Sequence, residues 1–303
     1  MMTIAQTRPL PTTIADYLTQ LRQALAGADP AMVQDALYDA EEYLRAELAE
    51  HRDKSEAEVI AGVAGSYGAP DEVAEIYRET EVTVSRALRP PLPPRRASWI
   101  GKFFGVAADP RTYGALFYML LSLLTGIFYF TWVVAGGSLS LGLLILIIGV
   151  PLLVLFFGSV RMLSLVEGRV VETLLGVRMP RRPSHPGSQG GWLQRIGEMF
   201  TDLRTWSTML YFLLMLPLGI VYFTVFVTLL AISLGFVFAP VLSLFDSGVV
   251  MTFDGVDVVN GWLTLPICAL GVLLLFVTLH LARAIGAVHG MLAKHLLVKS
   301  GAI

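Results

Sequence analysis

Part of this chain is written twice, and the spacing between the copies constrains its fold more than any other feature. Asp109-Pro-Arg111-Thr112-Tyr113, then Tyr118, Gly126 and Tyr129-Phe130-Thr131, return 93 residues later as Asp202-Leu-Arg204-Thr205-Trp206, then Tyr211, Gly219 and Tyr222-Phe223-Thr224. Trp99 and Lys102 are answered at the same offset by Trp192 and Arg195. A second register, offset by 122, links Gly149, Arg161 and Gly168 to Gly271, Arg283 and Gly290, which leaves 29 extra residues in the second copy. Coincidence of hydropathy would not match Asp, Arg, Thr, Tyr and Gly one for one. The reading is a true duplication.

Each copy holds two apolar stretches of the roughly 20 residues a helix needs to cross a bilayer. They fall at 113–134, 139–162, 207–230 (reaching toward 239) and 263–284. A mean hydropathy of +0.66 with only 15% charged residues fits such a chain and not a soluble domain. Lys and Arg gather before the first stretch, between the second and third, and after the fourth, while the other two connections have none. The positive-inside rule then places both termini in the cytoplasm, with the copies as parallel repeats about an axis near the membrane normal. The polar stretch ahead of residue 99 argues against a cleaved signal peptide and makes the first span a signal anchor.

The charge is divided. Up to Ser85 six Lys/Arg stand against sixteen Asp/Glu, and from Arg86 on sixteen stand against eight. An acidic head would be repelled by phosphates and the basic residues flank apolar spans, so direct nucleic-acid binding is excluded. The single cysteine, Cys268, lies in an apolar run and allows no intrachain disulfide.

Residues 1–85 read as a compact helical head. A Thr12/Thr13 cap precedes a stripe of Ile14, Leu18, Leu21 and Leu25 that Gly27 closes. Asp29-Pro30 opens a second helix with an apolar face of Val33, Leu37, Ala40, Leu44 and Leu48 and an acidic opposite face. Ser55 and Glu58 form a capping box for a third helix over 56–67, stopped by Gly68. Pro70 begins a fourth, with Val73, Ile76 and Tyr77 turned inward.

Here the residues resemble known families. Tyr17-Leu-x-x-Leu21-x-x-x-Leu25, Glu41-Glu42-Tyr43-Leu44 and Gly68-Ala-Pro70-Asp-Glu-Val-Ala74 are similar to the HAAS signalling domain of bacterial membrane proteins, often encoded beside PadR-type regulators. The body, with Arg111-Thr-Tyr and Arg204-Thr-Trp before paired spans, resembles the sensor domain that some bacterial histidine kinases carry at their N-terminus. The resemblances cover about 12–80 and 97–300. Unlike those kinases, the chain shows no dimerisation helix, phosphoacceptor or ATP-binding segment before Ile303. Output is therefore expected through the head or a separate protein.

The expected architecture is all-α. The cytoplasmic head (1–85) and a Pro/Arg-rich linker (86–98) lead to a first membrane repeat (99–177), a cytoplasmic linker (178–191) and a second repeat (192–303), whose insertion at 234–262 lies on the outer face. The linker is a semi-rigid polyproline spacer. Trp99, Phe103 and Phe104, and likewise Trp192, Ile196 and Phe200, read as short interfacial helices. Asp254-Gly255 between β-prone runs signals a hairpin, with Asp257 in its second strand; it either senses a ligand or lipid or caps the bundle.

Candidate site residues divide into three sets. Asp35, Asp39, Glu42 and Glu50 form an acidic face, either solvated or docking a basic partner. Asp109, Arg111, Thr112, Asp202, Arg204 and Thr205 read first as caps and boundary markers, and Arg161 and Arg283 as snorkelling residues at the ends of the second and fourth spans. Asp254, Gly255 and Asp257 mark the hairpin. His280 is read as a bond within the bundle, and His289 and His295 as lying on a cytoplasmic extension.

No catalytic, cofactor or metal motif is found, and Gly137-Ser-Leu-Ser140 is placed in an outer turn, so an enzyme is not expected. The function expected is a multi-pass bacterial inner-membrane sensor or regulator relaying a signal through the head. The rival is a transporter or channel component, which should show polar groups at mid-membrane; Thr125, Ser122 and His280 are the few candidates. Expected partners are the bilayer and a cytoplasmic regulatory protein or membrane partner, with self-assembly left open. Cysteines introduced at Ser184 and Ser247 should label from opposite sides of the membrane; labelling of both from one side refutes the four-span topology.

Overall fold

The computed structural model describes residues 10–88, 98–146, 149–182, 201–244, 252–253, 256–257 and 264–298. The proline linker, the segment from Trp192 to Phe200, and Asp254 and Gly255 lie outside them.

The head forms where its local signals place it. Thr13 accepts from the Asp16 amide at 3.1 Å and starts α1 (Ile14–Ala24). Asp29 accepts from the Ala31 amide at 2.9 Å and starts α2 (Pro30–Glu50). Ser55 and Glu58 close a capping box on α3 (Glu56–Ser66), and α4 (Pro70–Leu88) continues past the expected boundary at 85. Gly27 and Gly68 adopt positive φ at the turns, 79° and 115°, which other residues reach only with strain. Tyr17, Leu21, Leu25, Ala36, Ala40, Leu44, Ile60 and Val63 are buried together, and the Tyr17 hydroxyl donates to the Gly68 carbonyl at 2.8 Å. One inward assignment fails. Ile76 is 56% exposed, because Val73, Ala74 and Tyr77 form the buried stripe of α4 and turn Ile76 outward.

The body continues through α5 (Trp99–Phe104), α6 (Pro110–Gly142), α7 (Gly149–Leu175), α8 (Leu203–Leu244) and α9 (Thr264–Leu297). Four of these, α6 to α9, are long and apolar enough to cross a membrane. Their boundaries correct the sequence reading in two places. Gly136-Gly137 does not break the first span: α6 runs to Gly142, and the turn follows at Leu143–Ile145. Ser138 and Ser140 are therefore helical, Ser140 is buried, and the second helix starts at Gly149 and not near 139. Gly136 is small because the Phe156 ring of α7 packs against it. The expected insertion also begins within α8, which stays helical to Leu244. Beyond it, β1 (Thr252–Phe253) pairs antiparallel with β2 (Val256–Asp257), so a hairpin forms at the expected place.

Helices in lipid gain little from burying apolar surface against one another, so close packing and internal polar bonds must hold them. Phe117, Leu124, Ile127 and Phe128 of α6 are exposed on one side, while Tyr118, Met119, Ser122, Gly126 and Tyr129 turn inward. The interface of α6 with α8 is a mutual glycine contact. Gly126 lies against the Met215 carbonyl and Gly219 against the Ser122 carbonyl. With the stacked rings of Tyr129 and Phe212, 4.4 Å apart, these pairs run in opposite order along the two helices about their point of closest approach.

The Gly126–Met215 and Ser122–Gly219 contacts are exchanged under the offset of 93, and contacts within one half recur in the other. Gly114 lies against the Leu174 carbonyl, and its counterpart Ser207 donates to the Leu296 carbonyl at 2.8 Å. Such swapped pairs are what an approximate two-fold axis through the point of closest approach produces.

A side chain at this approach should be costly. A Cβ at Gly126 would lie 2.5 Å from the Met215 carbonyl oxygen, whereas one at Gly158 meets nothing within 4 Å. Gly126→Val is expected to destabilise the purified protein by about 1–3 kcal/mol, as overpacking does. Gly158→Ala should leave thermal unfolding in detergent almost unchanged. Equal melting of the two variants would refute the close approach.

Candidate functional site

The body encloses a polar cluster that the sequence reading did not identify. Glu167 of α7 is fully buried, with Tyr118 and Tyr129 of α6 and Tyr211 of α8 around it. The Tyr118 and Tyr211 hydroxyls donate to Glu167 Oε1 at 2.6 and 2.9 Å, and the Tyr129 hydroxyl donates to Oε2 at 2.9 Å. His289 of α9, also fully buried, places Nε2 at 2.8 Å from the Tyr118 oxygen and 3.1 Å from that of Tyr211. Its Nδ1 lies 3.4 Å from the Tyr222 hydroxyl. The two central hydroxyls are 3.2 Å apart.

The cluster follows the duplication. Tyr118 and Tyr211 are counterparts at offset 93, as are Tyr129 and Tyr222, and Glu167 and His289 are counterparts at offset 122. One acid and one base thus occupy equivalent positions on either side of a tyrosine pair. Each phenol has one proton. Where Tyr118 and Tyr211 both give theirs to Glu167, His289 Nε2 carries a hydrogen and donates to the phenol oxygens.

His289, which the sequence reading puts on an extension of the fourth span, is a buried residue at the core of the bundle. The three expected mid-membrane groups make other contacts. Ser122 donates to the Met119 carbonyl at 2.6 Å, and Thr125 bonds within its own helix. His280 reaches the Phe103 carbonyl of α5 at 3.0 Å. A signal for Glu167 was present, because the register joining Gly168 to Gly290 joins Glu167 to His289 one residue earlier.

The Asp-x-Arg-Thr segments do cap their helices: Asp109 accepts from the Arg111 amide at 3.1 Å and Asp202 from the Arg204 amide at 3.2 Å. Each carboxylate also pairs with the other half, Asp109 with Arg283 at 3.2 Å and Asp202 with Arg161 at 3.1 Å. Thr205 accepts from Arg161 Nη2 at 3.4 Å, whereas the buried Thr112 hydroxyl has no hydrogen-bond partner among the described residues. The Arg111 side chain is exposed. Arg161 and Arg283 therefore cross-link the two halves.

The head grips the body through the acidic face of α2. Asp35, 6% exposed, accepts from the Arg181 and Arg182 amides at 2.6 and 2.7 Å and from Arg178 Nη2 at 3.0 Å. Burial pushes its carboxyl above the usual range, against the opposing pull of those amides and of the Arg178 charge. Asp39 pairs with Arg182 at 2.9 Å, Arg178 with Glu81 at 3.0 Å, and Asp29 with Lys294. Gln34 accepts from Arg204 at 2.7 Å. Glu42 and Glu50 are exposed.

Removing the acid should unsettle its donors. Glu167→Ala leaves three buried hydroxyls without their acceptor and is expected to cost about 3–5 kcal/mol, as truncating one partner of a buried charged network does. Glu167→Gln should cost less, because one amide oxygen still accepts. Unfolding in detergent checks the order, and equal stability of Glu167→Ala and the parent chain would refute the network.

The family described as Putative sensor matches residues 118–297, more than half of the chain, and all six members of the cluster fall within the match. No curated protein and no solved structure gives a significant match. The chain belongs to the Putative sensor family.

Proposed function

We propose that this protein is a four-span membrane sensor that relays a membrane or extracytoplasmic signal through its helical head to a partner protein. One observation carries the reading. Three helices of the polar cluster also hold the head: α7 bears Glu167 and leads to Arg178, α8 bears Tyr211 and Arg204, and α9 bears His289 and Lys294. A change of packing at the cluster would act on the head through rigid helices of a few turns. The resemblance of the head to the HAAS domain adds a reason to expect a regulator as partner.

The proposed orientation puts both termini in the cytoplasm of a bacterial inner membrane. The Lys/Arg distribution supports it, and so does the head, whose partners Arg178, Arg204 and Lys294 gather on one side. The transporter reading keeps one supporting observation, since Glu167 and His289 are the ionisable groups such a protein needs within its spans. The sensor reading is favoured because the cluster is closed upon itself, while its helices end on the head.

Asp35→Lys should release the head, since breaking a buried pair costs about 3–5 kcal/mol. Spin labels at the exposed Glu50 and Arg111 would report it as a longer, broader distance distribution. An unchanged distribution in Asp35→Lys would refute the relay.

A further inference from the structure

His289 Nδ1 is a position in the cluster where a further proton can sit. With Glu167 as carboxylate and His289 neutral on Nδ1, the six side chains carry one net negative charge in a largely buried cluster. Burying an uncompensated charge is costly, and adding a proton removes the cost. Nδ1 is free to take it, because the facing Tyr222 hydroxyl can turn from donor to acceptor with no heavy atom moving. We propose that the Glu167–Tyr118/Tyr211–His289 cluster is a binding site for a single exchangeable proton.

The step is balanced. A proton from water bonds to His289 Nδ1, Tyr222 reverses its hydroxyl, and the cluster passes from one negative charge to none. The imidazolium is then joined to the Glu167 carboxylate through the two central phenols. The groups facing Glu167 are Tyr118 and Tyr129 from α6 and Tyr211 from α8; those facing His289 are Tyr118 from α6 and Tyr211 and Tyr222 from α8. Among the described residues no Lys or Arg bonds to either. Tyr222 is half-buried where the other five are buried.

Losing the proton strips the imidazolium from the link between α7 and α9, the helices that lead to Arg178 and Lys294. For its output, though not for the site itself, the proposal rests on the relay reading above.

The test titrates the full chain in lipid nanodiscs by difference infrared spectroscopy, with the Glu50–Arg111 label distance followed in parallel. The expected result is a one-proton transition that is lost in Glu167→Gln and in His289→Asn. Tyr222→Phe, which removes one hydroxyl and little packing, should keep the transition but displace it to lower pH, since Nδ1–H loses its acceptor. An identical transition in all three variants, or none in the parent chain, overturns the site. If the transition is absent while Asp35→Lys still frees the head, the proton site fails and the relay stands. If it is present and variant-sensitive while the label distance stays constant with pH, the proton site stands and the relay fails.

Discussion

A carboxylate in an apolar bundle must find its donors within the protein, and Glu167 is the constraint around which the body is arranged. Three hydroxyls from two other helices satisfy it, and those hydroxyls fix how α6 and α8 face α7. The glycine contact of α6 and α8 belongs to the same requirement. Only where the backbones approach at Gly126 and Gly219 can Tyr118 and Tyr211 both reach the axis. Lipid offers no hydrophobic force to assemble such a bundle, so small residues and internal hydrogen bonds take that role.

The halves are locked at two levels. At the centre lies the tyrosine pair between an acid and a base, and toward the helix starts each Asp cap pairs with the arginine of the other half. The symmetry is broken chemically at one pair of positions, Glu167 against His289. A symmetric pair of acids would repel and a symmetric pair of histidines would leave the phenol protons without an anion to accept them. The unequal pair is what makes the centre both stable and able to exchange a proton.

The head has a different physics. Its core of Tyr17, Leu21, Leu25, Leu44 and Ile60 is a water-driven cluster, and its acidic face is partly consumed by contacts with the body. Asp35 and Asp39 meet Arg178 and Arg182, while Glu42 and Glu50 stay exposed on the same helix. The face therefore has one set of carboxylates that holds the head and another that remains accessible to a partner.

Caps, stripes and apolar runs act over a few residues, so the chain alone determined the head helices, the four long apolar helices and the position of the hairpin. The Ser55–Glu58 box and the Asp109 and Asp202 caps were legible because every atom they need lies within three residues. The end of α6 was not, because Gly136-Gly137 looks like a turn until Phe156 of another helix is seen against it. Glu167 and His289 were hidden for the same reason. Each has its partners 38 to 171 positions away, and which helices meet around it is decided only by tertiary packing.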